Sequence, residues 1–175
     1  LVSFSILENT ASFVSPEGEI IGGNVSEQAL LAYVQGLSKT DFNTEHQRVI
    51  LFSSDKKYSA SQVKSNFIPN GFNSDQLTLI KGAPEVIIDI CNHFHHENGK
   101  LEVFKNKNEI NKQLDELANS GMRLIALAVS ENELPKDDSL PSNAVLVGLI
   151  GIRDEIRDES QPSIKTMHDA GVQVV

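Results

Sequence analysis

Apolar residues along this chain fall in short blocks divided by turn-forming clusters, and the period within each block names its element. Residues 1–7 form a short apolar segment closed by Glu8-Asn9-Thr10, and Pro16-Glu17-Gly18 marks a turn. Asn24 stands three residues before Glu27, the spacing of a capping box, and Ala29, Leu30, Leu31 and Val34 follow at helical spacing up to a stop at Gly36. Val49-Ile50-Leu51-Phe52 reads as a strand, with residues 58–63 as its hairpin partner. Residues 68–76 are polar and turn-rich, a connection within the sheet. Leu77-Thr78-Leu79-Ile80 has the character of a buried strand; Gly82 and Pro84 then punctuate the chain, and Glu85 opens the helical stretch Val86-Ile87-Ile88-Asp89-Ile90-Cys91.

Residues 108–120 are predicted as a helix with Ile110, Leu114 and Leu117 on one face and Gly121 just past its end. Residues 124–129 return as a buried strand, and residues 131–143 are rich in charge, proline and serine, a surface loop. Residues 144–152 are almost continuously apolar, as in a sheet covered on both faces. A helix over 160–170, stopped by Gly171, leads into a strand at 172–175. Strand, helix and strand within about 30 residues make a βαβ unit, the mark of a parallel sheet. One such unit is too small for a domain, so the chain divides into a domain of residues 1–149 and the start of a truncated second one at 150–175.

The composition narrows the classes. With 39% hydrophobic and 22% charged residues over 175 positions, the chain is ordinary globular protein with one full core. A net charge of −9 without a basic patch argues against a nucleic-acid groove or an anionic membrane surface. The single cysteine, Cys91, excludes an internal disulfide and reads as a small buried hydrophobe. No stretch approaches ~20 apolar residues, and the chain, opening on leucine, reads as a piece of something longer.

Lys81-Gly82-Ala83-Pro84-Glu85 carries the most chemistry. It fixes a lysine at a strand end, beside a helix N-terminus, where an ammonium and backbone N–H groups suit an anion. His93, His95 and His96 crowd beside Cys91, but their spacing does not match a tetrahedral metal site and Asn98-Gly99 marks a surface turn, so this segment is expected to be a solvated loop. Gly82 and Gly121 are backbone devices, because no Gly-x-x-x-x-Gly-Lys pattern exists.

Four segments, in order, resemble the marks of the nucleotide-binding domain of P-type cation-transporting ATPases. They are Gly22-Gly23-Asn24-Val25-Ser26-Glu27-Gln28-Ala29-Leu30, Phe52-Ser53-Ser54-Asp55-Lys56-Lys57, Lys81-Gly82-Ala83-Pro84-Glu85 and Gly121-Met122-Arg123-Leu124-Ile125-Ala126-Leu127-Ala128. The tail, Gly151-Ile152-Arg153-Asp154-Glu155-Ile156-Arg157, resembles the return of the chain into that family's HAD-like phosphorylation domain. The resemblance implies an α/β fold of the α+β type, an antiparallel twisted sheet flanked by helices, with a C-terminal βαβ fragment. It implies ATP as ligand, with Mg²⁺ in the full-length enzyme. Its partners would be the phosphorylation, actuator and transmembrane domains of a parent pump in the cell membrane, this part lying on the cytoplasmic side without touching the membrane.

The roles follow residue by residue. Phe52 would stack on adenine, against the plainer reading of a core strand residue. Lys57 would line the mouth, and Lys81, with Gly82 beside it, would sit deeper with its stem along the base. Glu27 would accept from the adenine amino group or do no more than cap its helix. Arg123 would meet phosphate oxygens or pair with Glu27. Asp154 and Arg157 would approach the same nucleotide from the phosphorylation side. Departures are Val25-Ser26 where the family usually has Pro-Thr, Ser54 where it often has arginine, and Glu155-Ile156 between Asp154 and Arg157. The signature Asp-Lys-Thr-Gly-Thr does not occur in these residues, so the chain reads as able to hold ATP and unable to turn it over. The alternative is an α/β interaction module that has lost nucleotide affinity.

Overall fold

Strands here follow the β-branched runs, and period two decides which side chains meet which layer. The structure, a computed structural model, describes residues 1–37, 42–153 and 159–173. Helix α1 (Val2–Leu7) precedes a small hairpin of β1 (Ser12–Val14) and β2 (Ile20–Gly22), then α2 (Val25–Gln35). Next come β3 (Thr44–Ile50), β4 (Tyr58–Ser65), β5 (Gln76–Gly82), α3 (Pro84–Ile90), β6 (Cys91–His95), β7 (Leu101–Val103) and α4 (Lys107–Asn119). Strands β8 (Arg123–Ser130) and β9 (Ala144–Ile152) and helix α5 (Ser160–Asp169) follow.

The seven-stranded sheet has the order β3-β4-β5-β8-β9-β6-β7. Every neighbouring pair is antiparallel except β6 and β9. The expected mostly antiparallel sheet with flanking helices is thus present. Helices α1 and α2 cover one face, where Phe4, Ile6, Leu30 and Val34 pack with Leu79, Leu127 and Val129. Helices α3 and α4 cover the other, where Ile87, Ile88 and Leu114 pack with Ile80, Ala126 and Ala128. Alternation along β5 puts Leu77 and Leu79 on the first face, and Lys81 continues that row at the strand's end.

Several expectations need correction. The histidine segment is mostly strand, not loop: Cys91–His95 forms strand β6, hydrogen-bonded in parallel to β9, and the turn is confined to residues 97–99. The sequence misled because polar histidines alternate there with residues that pack, such as Phe94. Strand β9 is fully buried only over Ala144–Leu146; beyond that its cover is partial, so the continuous apolar run does not mean burial on both faces. Its neighbours are antiparallel β8 on one side and parallel β6 on the other, and residues 172 and 173 carry no strand. Residues 174 and 175, like Asp154 and Arg157, lie outside the described residues.

The loop after β8 is less free than its composition suggests. Arg48 Nη1 donates to the carbonyls of Leu134 (3.0 Å) and Pro135 (2.8 Å), and Nη2 to the carbonyl of Lys136 (3.3 Å) and the Asp138 carboxylate. Leu134 enters the core, and its N–H donates to Gln62 Oε1 at 3.0 Å. Arg48→Ala should cost about 1.5–3 kcal/mol, the worth of hydrogen bonds to a charged group. Amide exchange should quicken over residues 134–139 while β5 and β8 stay protected; unchanged exchange in that loop would contradict the anchor.

Candidate functional site

Three chain segments converge at one end of β5. Asn24 caps α2 with Oδ1 accepting from the Glu27 N–H (3.1 Å), and Glu27 Oε2 accepts from the Asn24 N–H (3.4 Å), so the capping box is real. The cap leaves Glu27 Oε1 facing β5, where the Lys81 ammonium donates to it at 2.8 Å. Lys81 and Glu27 are only 5% and 8% exposed. Lys81 also donates to the carbonyl of Asn9 at 2.7 Å. Burial pushes the Lys81 amine below the ordinary lysine value, with the hydrogen bond and charge of Glu27 pulling it back up.

The second segment, residues 51–57, leaves β3 with Phe52 half exposed at 50%. It turns through Lys57 in the left-handed region (φ 59°), whose carbonyl accepts from the Ala83 N–H at 2.9 Å. That closeness is why residue 82 is glycine: a Cβ there would lie 2.5 Å from the Lys57 carbonyl oxygen and 2.8 Å from Tyr58 Cβ. Lys57 Nζ reaches Glu85 at 3.1 Å in an exposed ion pair, and Lys56 reaches Asp138 at 3.4 Å. The Glu85 carboxyl is held below its usual value by its own backbone N–H first, then by Lys57. The third segment is the head of β8, where Arg123 Nη1 donates to Ser26 Oγ at 2.9 Å. Glu27 therefore pairs with Lys81, not with Arg123.

A cavity of about 280 Å³ opens where these segments meet. Glu27, Phe52, Lys57, Lys81, Gly82 and Arg123, six of the residues singled out from the sequence, all line it. Leu30, Ala83 and Ile125 supply apolar wall between them. Its aromatic face, one buried acceptor and cations at the rim suit a flat base carrying an anion. Sequence reading missed Asn9, which holds Lys81; a polar residue closing a short apolar segment gives no periodic signal.

The described residues form no metal site. No group of three histidine, cysteine or acidic side chains is placed to hold a metal. His95 Nε2 meets the Asn70 carbonyl at 2.8 Å and His96 Nε2 meets Glu102 at 2.9 Å. Glu27, the cavity's carboxylate, is already committed to Lys81 and Asn24, so these residues do not fit a magnesium ion. Burial raises the Cys91 thiol to about 12, too high for a thiolate nucleophile.

The buried pair yields a stability prediction. Lys81→Met alone should cost about 3–5 kcal/mol in urea unfolding, because it strands a buried carboxylate, and adding Glu27→Gln should recover most of that loss. The sign with pH follows from the lowered amine. Protonated Lys81 opposes folding below its folded-state value, and that penalty is relieved as pH rises through that value towards 10.5. A ¹³Cε titration of Lys81 should show a midpoint below 10.5; an unshifted midpoint would refute the burial argument.

Residues 1–159 match the family described as P-type ATPase, cytoplasmic domain N. The chain is 26% identical over 172 residues to calcium-transporting ATPase 1 of Yarrowia lipolytica, covering 95% of this chain and 18% of that protein. It is 27% identical over 164 residues to plasma membrane calcium-transporting ATPase 1 of Mus musculus, covering 87% and 13% respectively. Against calcium-transporting ATPase 1 of Lactococcus lactis it is 27% identical over 182 residues, covering 100% and 20%. The chain thus spans a fifth or less of these relatives, and no helix among its described residues is long and apolar enough to cross a membrane. A match over nine-tenths of its length, on a fold with the expected antiparallel sheet, means that this chain belongs to the P-type ATPase cytoplasmic N-domain family.

Proposed function

We propose that this chain is the ATP-binding part of a cation pump, holding adenine in the cavity and presenting the γ-phosphate to an aspartate elsewhere in the parent protein. The observation that carries this reading is the convergence of six residues, from four separate stretches of the chain, on one cavity. Phe52 would stack on the base, and Glu27, whose carboxylate keeps lone pairs beyond those given to Lys81 and Asn24, would accept from its amino group. The Lys81 stem would pack along the ring, with Gly82 giving close backbone approach. Lys57 and Arg123 stand at the rim, where phosphates would lie. Asp154 and Arg157 keep their proposed place on the phosphorylation side. The proposed division at residue 150 falls within β9, whose pairing runs on to Ile152, so that strand would lead into the second domain. The relatives' names make calcium the first cation to test for the parent pump.

The alternative, a module without nucleotide affinity, rested on Val25 and Ser54. Neither lines the cavity, and Val25 is 71% exposed. That favours the binding reading.

ATP should bind with about −4 to −5 kcal/mol, near the millimolar end, since one stacked base and a few polar contacts must offset lost translational freedom. Magnesium should change this little. Phe52→Ala should remove most adenine affinity with the melting temperature intact, and Arg123→Ala should weaken ATP more than adenosine. Amide chemical shifts during titration check the affinities and calorimetry the melting temperature; a Phe52→Ala variant that binds like the parent would sink the reading.

Incubation of the chain with γ-labelled ATP should leave no acyl-phosphate on it, because phosphoryl transfer needs an aspartate nucleophile and a bridging metal held in line. Stoichiometric label, or phosphate release abolished by one substitution within these residues, would overturn the division of labour.

A further inference from the structure

The ammonium of Lys81 is held by two acceptors, and only one of them is a side chain. Glu27 Oε1 takes one N–H at 2.8 Å and the main-chain carbonyl of Asn9 takes another at 2.7 Å. A carbonyl has no identity of its own, so what matters is what fixes its place. Asn9 lies just beyond α1, with its N–H donating to the Ile6 carbonyl at 3.3 Å. Its side chain is buried, and Nδ2 donates to the carbonyls of Ser59 (3.3 Å) and Leu79 (3.1 Å).

Those two carbonyls flank the lysine. Ser59 is the register partner of Lys81 across β4 and β5, and Leu79 precedes Lys81 by two residues on the same face of β5. The amide of Asn9 therefore bridges adjacent strands at the point from which the Lys81 side chain rises, and it uses both of its donors to do so. An apolar residue here would leave two strand carbonyls without that partner and free the main chain that carries the acceptor. Asn9 and Glu27 also line a neighbouring cavity of about 390 Å³, while Lys81 and Glu27 line the first. Glu27 lines both cavities, with Lys81 on the first side and Asn9 on the second, so this group forms part of the partition between the two.

We propose that Asn9 is a positioning residue of the base-binding cavity. Its side-chain amide fixes the carbonyl that keeps Lys81 buried against the cavity wall. The affinity consequence rests on the adenine reading given above; the effect on Lys81 does not. Releasing the carbonyl lets the ammonium leave the partition for solvent, so Lys81 loses its burial and the base loses one wall.

The test uses the 175-residue chain carrying Asn9→Ala, with Val34→Ala, a core truncation away from Lys81, as the stability control. Two readouts are taken, the ¹³Cε titration of Lys81 and the dissociation constant for adenosine. In Asn9→Ala the titration midpoint should rise towards that of a solvated lysine, and adenosine should bind about fivefold more weakly, the scale of one lost polar anchor. Val34→Ala should leave both unchanged. If Asn9→Ala does not fold, Asn9→Ser, which keeps one donor, should show the same shifts in smaller measure. A variant at position 9 with the parent's Lys81 titration, or one indistinguishable from Val34→Ala, overturns the proposal. If adenosine binds neither parent nor variant, the adenine reading falls, and the lysine titration still decides whether Asn9 positions Lys81.

Discussion

The contact on which the rest of this structure depends is the buried ion pair between Lys81 and Glu27. Two charges removed from water are costly unless their geometry is good and their remaining hydrogen-bonding capacity is met. Here the carboxylate is shared between an ammonium and a helix cap, and the ammonium between that carboxylate and a main-chain carbonyl. The pair joins the N-terminus of α2 to the end of β5. It thereby fixes one wall of the cavity before any ligand arrives, at the point where the apolar row of β5 runs out.

Much else is arranged around that pair. Gly82, directly after Lys81, lets the 51–57 segment approach closely enough for the Lys57 carbonyl to accept from Ala83, and this brings Phe52 over the cavity. The Arg48 anchor holds the 131–143 loop on the far side of the same strands, and Tyr58 adds a hydrogen bond to the Asp138 carbonyl. Rigid strands below and a mobile-looking composition above are reconciled by such side-chain-to-carbonyl bonds. They satisfy loop carbonyls that a sheet ladder cannot reach. A preorganised cavity would favour the proposed base binding, since little binding energy would be left to order the protein.

Most of the fold was legible in the chain because its signals are local. The Asn24–Glu27 spacing, the apolar run over 77–80 and the Gly and Pro punctuation around 82–84 depend on nearest neighbours, and each appears in the structure as read. The histidine segment failed for the same reason in reverse. Strand β6 is held by the short neighbouring β7 on one side and by β9, far along the chain, on the other, and no local period announces the distant partner.

Local pattern along the chain set most of the elements, where they are punctuated, and which residue types stand in the motifs that resemble a nucleotide site. Which residues pair was settled by the assembled fold. Glu27 could equally have faced Arg123, and it meets Lys81 because β5 lies between β4 and β8 and aims its last odd-numbered side chain under α2. Phe52 could have been a core strand residue, and it stands half in solvent because β3 ends at Ile50. Asn9 had no signal at all, for its role exists only once α1 lies across two strands. Burial and pairing are properties of long-range proximity, and a one-dimensional pattern records only what neighbours along the chain can feel.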